Sequence, residues 1–173
     1  NLDDIDTITR NATNKQIIEG ITLKTTSPQR TAYTAIGKNY SNLVEDALAK
    51  GKYVNSYDHK VLFLALGNDP DYKLWVETLV EARVVAIIKN RYEKLNKVAG
   101  STGGASDSLY EIYGLDCGLE VMTATRNKMD AENKGGYVIQ LASNELVKEP
   151  HLPATFFITS KAATAAAVNA LLA

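Results

Sequence analysis

The chain has 173 residues, of which 45% are hydrophobic and 23% are charged, and its formal net charge is −1. This length suits one domain whose core needs no disulfide or metal, and the near-neutral charge argues against a strongly basic nucleic-acid binder. The single cysteine, Cys117, excludes an intramolecular disulfide, and no apolar run approaches the roughly 20 residues needed to span a bilayer. We therefore expect a single domain without a transmembrane segment.

The first part of the chain, residues 1–26, is predicted to be an N-terminal arm or extended segment. It is mostly polar, and the stretch Gly20–Thr26 alternates apolar and polar residues, as a short strand does. Residues 27–173 are predicted to form a helical globular domain. Its first helix is predicted over residues 28–50, because Ser27-Pro28 is typical of a helix start and apolar residues then recur at helical spacing.

The next segment contains the apolar run Val61–Leu66. Periodicity alone cannot assign so short a run to a buried strand or to a buried helix. Its alanine and leucines favour a helix over about residues 57–66, capped by Asn55 or Ser56.

The longest predicted helix covers residues 70–99. Asp69 is a capping residue, Pro70 suits the first helical position, and Gly100 suits a left-handed C-terminal cap. The central run Val84–Ile88 is apolar all round, which in a helix implies that neighbours cover it on every side. We therefore predict that this helix is the hub of a core or of an assembly.

The second half of the chain begins with a loop rich in glycine and serine, residues 100–108. It is predicted to be a flexible linker, because it follows a helix and lacks the lysine of a phosphate-binding loop. The whole pattern predicts a single, mainly α domain: an α-helical core with a few short strands, or an α+β variant of it. The remaining predicted elements are a short helix from Asp107 or Ser108 to Tyr113, a helix over residues 116–132, strands at Tyr137–Leu141 and Thr155–Thr159, and an alanine-rich helix from Lys161 to Ala173.

No group of residues identifies a catalytic, cofactor-binding or metal site. Cys117 with His59 or His151 could form a nucleophile and its base, but no local signature supports such a pair. A lone cysteine beside Leu115 and Leu119 is more often a small buried hydrophobe. Two distant histidines without ligand spacing predict no metal site. We therefore expect no cofactor and favour a role other than catalysis.

Tyrosine is unusually frequent, with nine residues against three phenylalanines and one tryptophan. Tyrosine suits the edge of a core or a wet protein interface, because it combines a large contact area with a polar tip. Tyrosines near cations can also hold single-stranded nucleic acid. The cations predicted to contact nucleic acid in that case are Arg30, Lys38, Arg83, Lys89, Arg91 and Lys94.

These features together predict a structural, self-assembling homo-oligomeric subunit of the coat, capsid or filament type, built on helix packing. The C-terminal helix has no charge after Lys161, so it must pack in its own core or on another subunit. The alternatives are a nucleic-acid-associated assembly protein and a small-molecule enzyme without a recognisable motif. The cellular compartment stays open.

Overall fold

The architecture is built mainly of β-strands. The computed structural model describes residues 1–25, 32–35, 42–51, 54–67, 69–90, 108–129 and 135–172. Within these ranges nine strands form two sheets, accompanied by two α-helices and one short 3₁₀ turn at Leu2–Asp4. The prediction of a mainly α fold with an α-helical core, and of a helical protein in general, is therefore wrong.

The strands divide between a five-stranded and a four-stranded sheet. In chain order they are β1 (Ile5–Arg10), β2 (Ile17–Leu23), β3 (Leu43–Lys50), β4 (Asn55–Ala65), β5 (Ala86–Lys89), β6 (Tyr110–Tyr113), β7 (Leu119–Arg126), β8 (Tyr137–Ser143) and β9 (Ala154–Phe156). The helices are α1 (Pro70–Val80) and α2 (Lys161–Ala170). The order β1-β2-β9-β6-β5 is antiparallel except for the parallel β2–β9 pair, and the order β3-β4-β8-β7 is antiparallel throughout.

Two hydrophobic clusters lie on opposite faces of the five-stranded sheet. The first cluster joins Phe63 and Ile139 of the four-stranded sheet to Tyr113 and to α1, and the second joins Ile112 to α2 through Val168. The two sheets therefore face each other across the first cluster in a sandwich-like arrangement, and α2 covers the outer face of the five-stranded sheet. Apolar surface is buried on both faces of that sheet, which is the main source of stability for such layers.

The all-apolar run Val84–Ile88, which was predicted at the centre of a helix, lies between the two hydrophobic clusters. Val84, Ala86 and Ile88 contribute to the first cluster, whereas Val85 and Ile87 contribute to the second. Successive side chains of a strand point to opposite faces, so a strand between two cores has no polar side. The helix predicted over residues 70–99 is therefore wrong after α1, and residues 91–99 lie outside the described part of the chain.

The other predicted helices before residue 132 are also corrected. Residues 43–50 of the helix predicted over residues 28–50 form β3, which pairs with β4 at every position from Leu43↔Leu62 to Lys50↔Asn55. Cross-strand hydrogen bonds and packing override the helix propensity of these residues. Residues 28–31 and 36–41 lie outside the described part. β4 replaces the helix predicted over residues 57–66, and β6 replaces the short helix predicted up to Tyr113. The helix predicted over residues 116–132 is wrong because β7 occupies its centre, and residues 130–132 lie outside the described part.

Several local predictions are confirmed. The Asp69 side chain accepts a hydrogen bond from the Tyr72 N–H at 2.8 Å, and Pro70 is the first residue of α1. β8 and β9 overlap the two predicted strands, and α2 begins at Lys161 as predicted. These features depend on short-range chemistry, so the sequence reveals them. Residues 100–107 of the predicted linker lie outside the described ranges.

The N-terminal residues belong to the five-stranded sheet. β1 and β2 form an antiparallel hairpin, and β2 overlaps the strand predicted at Gly20–Thr26. Ile18 is fully buried in the second cluster, and its neighbour Ile17 pairs in parallel with Thr155 of β9. The segment predicted as an N-terminal arm or extended segment thus supplies two strands of the five-stranded sheet.

Candidate functional site

The most deeply buried carboxylate of the described residues is Glu149, which is 1% exposed. Its Oε1 accepts the backbone N–H groups of Cys117 at 2.8 Å and Gly118 at 3.1 Å, and its Oε2 accepts that of Asp116 at 3.1 Å. The backbone of Glu149 also exchanges two hydrogen bonds with that of Tyr57. A buried carboxylate is stable when donors surround it, so Glu149 shapes the loop between β6 and β7.

His59 lies close to this loop and is packed as a neutral side chain. Its Nδ1 accepts a hydrogen bond from the Gly114 N–H at 3.2 Å, and its ring meets Tyr113 edge to face at 5.5 Å between centroids. Burial lowers the pKa of His59, although the Glu149 carboxylate opposes this shift. Burial of Tyr113 likewise raises the pKa of its hydroxyl.

Cys117 has the surroundings of a structural thiol. Its Sγ donates to the Lys148 carbonyl at 3.4 Å, and burial together with the Glu149 carboxylate raises its pKa. The thiolate is the nucleophilic form, so a raised pKa makes Cys117 a poor nucleophile. The Nδ1 atom of His59 accepts the Gly114 N–H, so this nitrogen is not available as a base for Cys117. Across the described ranges, no three His, Cys, Asp or Glu side chains are grouped so that they could hold a metal ion.

Of the cations predicted to contact nucleic acid, two lie in the described part of the chain. Arg83 is half-exposed and pairs with Asp3 at 3.4 Å, and Lys89 is exposed at the end of β5. Both were predicted on a helix, but Arg83 lies between α1 and β5 and Lys89 is the last residue of β5. Nucleic-acid binding therefore stays a prediction. The other four residues, Arg30, Lys38, Arg91 and Lys94, lie outside the described ranges.

The edge strand β3 is the most exposed regular element of the two sheets. Leu43 and Leu48 are 46% and 59% exposed, and only Val44 among its apolar residues packs against the first cluster. Its pairing with β4 is nevertheless continuous over all eight residues. The far half of the β3–β4 hairpin therefore extends beyond the core.

The hydrogen bonds of Tyr57 reveal which backbone groups of β3 face the free edge. The N–H and C=O of Tyr57 bond to Glu149 and so point away from β3. Leu48, opposite Tyr57, therefore forms a non-hydrogen-bonded pair with it, and its own N–H and C=O point outward. By strand alternation the same holds for Val44, Asp46 and Lys50. No described strand pairs with β3 on this side.

The other sheet edges carry features that protect against pairing. β7 has a register shift between Val121 and Thr123, and β1 has two, between Ile5 and Thr7 and next to Arg10. β5 is only four residues long. Bulges and short strands are common devices that block edge-to-edge association. β3 is thus the long, regular edge among the described strands, and we take it as the candidate functional site.

The sequence did not reveal this site. Asp46 and Lys50 are four residues apart, a spacing that also suits a favourable ion pair on a helix. Gly51, directly after Lys50, suits the end of a helix, although the chain here turns from β3 into β4. A turn residue between two segments is typical of a hairpin as well as of a helix end.

Comparison with known proteins finds no matching family model, no similar curated protein and no similar solved structure. Within the described residues, no helix combines the length and the apolar character that crossing a membrane requires.

Proposed function

We propose that this protein is a structural subunit that self-associates by pairing β3 with β3 of a second copy. The observation that carries the proposal is the long, regular and exposed edge of β3, with outward N–H and C=O groups on alternate residues. The proposal keeps the self-assembling role expected from the sequence. It moves the basis of that role from helix packing to strand addition, in which main-chain hydrogen bonds supply affinity.

A two-fold axis at Leu48 gives the register that fits best. In an antiparallel pair about this axis, Leu48 faces the same residue of the second copy and Asp46 faces Lys50. All three are residues whose backbone groups point outward, so each opposed pair exchanges two hydrogen bonds, about six in total. Asp46 and Lys50 meet twice because of the symmetry, which places two pairs of opposite charges beside a central leucine contact.

Neighbouring registers lack this match. An axis at Asp46 opposes two carboxylates, and an axis at Ala47 places Asp46 opposite Leu48. Like charges directly opposite each other destabilise a strand pair, whereas opposite charges contribute about 0.2–1 kcal/mol. The two charged residues therefore select one register, and they make accidental pairing with other strand edges less favourable.

Charge reversal tests the register. Sedimentation velocity over a range of concentrations should show a reversible monomer–dimer equilibrium for the natural sequence. Asp46→Lys or Lys50→Asp alone creates two repulsive pairs and should raise the dissociation constant about tenfold. The double variant Asp46→Lys/Lys50→Asp restores both attractions and should dimerise nearly as well as the natural sequence. The control Glu145→Lys changes an exposed charge that does not belong to β3 and should have no effect.

A proline variant tests the backbone pairing without depending on charge. Leu48→Pro removes an N–H that points to the free edge, which an edge strand tolerates, so the monomer should keep its fold and lose dimerisation. Leu48→Ala is the matched control for the lost side chain. The proposal is overturned if the natural sequence stays monomeric at its highest soluble concentration, or if its dimer is unaffected by both Asp46→Lys and Leu48→Pro.

A further inference from the structure

A cleft with aromatic walls opens beside the first turns of α1. Its volume is about 300 Å³, at the lower end of the range of small-molecule sites. None of its lining residues belongs to β3, so its test is separate from that of the proposed self-association. The residues that line it are Tyr33, Thr34, Asp69, Asp71, Tyr72 and Trp75.

Three aromatic rings converge on the cleft. The centroid of Trp75 is 5.0 Å from that of Tyr72 and 6.0 Å from that of Tyr33, with interplanar angles of 58° and 49°. Because the rings are tilted, they form walls at an angle and not one flat platform. Tyr33 is 71% exposed although it contacts Trp75, so much of its surface is open to a ligand.

The framework beneath the rings fixes two of them. Phe63, a buried residue of β4, supports Trp75 at 6.4 Å between centroids. The Tyr72 ring lies against Gly67, where any Cβ atom would overlap the ring. Tyr72 and Trp75 are three residues apart on α1, so both lie on one side of that helix. The cleft is therefore preorganised on its α1 side.

The charge around the rings is negative. The Asp69 carboxylate caps α1 by accepting the Tyr72 N–H at 2.8 Å, and burial, with this carboxylate as the second cause, raises the pKa of the Tyr72 hydroxyl. Asp71 adds a second carboxylate to the lining. The N-terminus of a helix carries only about half a positive charge, so the two carboxylates outweigh it. Aromatic faces are themselves negative because of the ring quadrupole.

We propose that this cleft binds an organic ammonium cation, with a quaternary, methylated ammonium group as the preferred headgroup. Rings that surround a cation attract it through their quadrupoles, and the carboxylates add a charge of the opposite sign. A methylated ammonium also presents apolar surface to the rings, whereas a primary ammonium is strongly hydrated. The size of the cleft suits such a headgroup and not a large ligand.

Choline is the probe, and Trp75 is the reporter because it is the only tryptophan of the chain. Titration with choline should change the tryptophan fluorescence in a saturable manner, in the millimolar range. Dimethylbutanol, the uncharged carbon isostere of choline, should bind about tenfold more weakly or not at all, because it lacks the charge.

Variants locate the site. Asp69→Asn keeps a good helix cap but removes a charge, and it should weaken choline binding several-fold. Glu77→Gln, an exposed acidic residue of the same helix outside the cleft, is the matched control and should leave binding unchanged. Tyr33→Ala removes a mostly exposed ring, so the protein should fold normally while its affinity falls about tenfold.

Three results would overturn the proposal: no saturable response to choline, equal affinity for choline and its uncharged isostere, or equal losses in Asp69→Asn and Glu77→Gln. A response to a neutral sugar in place of choline would likewise assign the cleft to a different ligand class. Melting curves by circular dichroism, measured for each variant, separate loss of binding from loss of fold.

Discussion

Glu149 holds the backbone N–H of Cys117 at 2.8 Å although the two residues are 32 positions apart. The same carboxylate accepts two further N–H groups, from Asp116 and Gly118. It therefore connects the loop between β6 and β7 to the segment that follows β8. Because Glu149 also pairs with Tyr57 of β4, one residue ties three parts of the chain together.

Replacing Glu149 should be costly. Glu149→Gln turns one acceptor oxygen into a donor that faces a backbone N–H, and it should lower the free energy of unfolding by about 2–3 kcal/mol. Glu149→Ala leaves three donors without the carboxylate and should cost more. Glu145→Gln, at an exposed position, should change stability by no more than about 0.5 kcal/mol. Urea denaturation measures all three, and an unchanged midpoint for Glu149→Gln would contradict the structural role.

Gly118 should not tolerate a side chain. Its φ is +84°, and a Cβ there would lie 2.9 Å from the Arg83 Cβ and 3.2 Å from the Leu2 side chain. Gly118→Ala should therefore destabilise the protein by about 2 kcal/mol or more, from backbone strain and displaced neighbours. Gly20→Ala is the control, because its Cβ would meet Thr9 at ordinary contact distance. Thermal melting should show a clear decrease for the first variant and little change for the second.

Stability should depend on the protonation of His59. Its pKa in the folded protein lies below the ordinary 6.5, so the unfolded chain binds the proton first as the pH falls. The stabilisation from neutral His59 is complete above pH 6.5. This stabilisation decreases as the pH falls from 6.5 to the pKa of His59 in the folded protein, and below that pKa it decreases no further. The slope of the decrease is at most about 1.4 kcal/mol per pH unit.

Urea denaturation between pH 7.5 and pH 5.5 measures this dependence. His59→Gln should flatten it whatever the absolute stability of the variant, and the exposed His151→Gln should retain it. An equal slope in His59→Gln and in the natural sequence would assign the dependence to other groups.

Cys117 should react slowly in the folded protein. Burial and the Glu149 carboxylate raise its pKa, so little thiolate is present near neutral pH. Iodoacetamide should alkylate the folded chain several-fold more slowly than the same chain in urea. Cys117→Ser should cost at most about 1–2 kcal/mol of stability. A folded-state rate equal to the unfolded-state rate would restore Cys117 as a candidate nucleophile.

The sequence predicted features whose chemistry is contained in a few neighbouring residues. Asp69 caps α1 through Tyr72, only three positions away, and Pro70 fits the first turn, so both could be predicted. Tyr72 and Trp75 could likewise be placed on one helix. The third wall of the cleft, Tyr33, comes from a distant segment, and no spacing rule connects it to Trp75.

The strands β3 and β5 were not predicted from the sequence for a different reason. β3 is exposed on most of both faces, so its sequence lacks the alternation that marks a half-buried strand, and its leucines, alanines and Lys50 favour a helix. β4 supplies the partner that makes it a strand. In Val84–Ile88 the preference of valine and isoleucine for strands was a usable signal, but burial on both faces removed the period of two. Glu149 carried no signal, because its partners lie more than thirty residues away.

The position of β9 sets the order in which the chain can fold during synthesis. β9 lies between β2 and β6, so β2 cannot be joined to β6 by strand pairing until residues near Thr155 have left the ribosome. The β3–β4 hairpin, by contrast, can close soon after its own residues emerge. Pairing of distant segments is slow because a long loop must close first. A nascent chain that stalls before β9 would therefore display the apolar side chains of β2, a state that chaperones recognise.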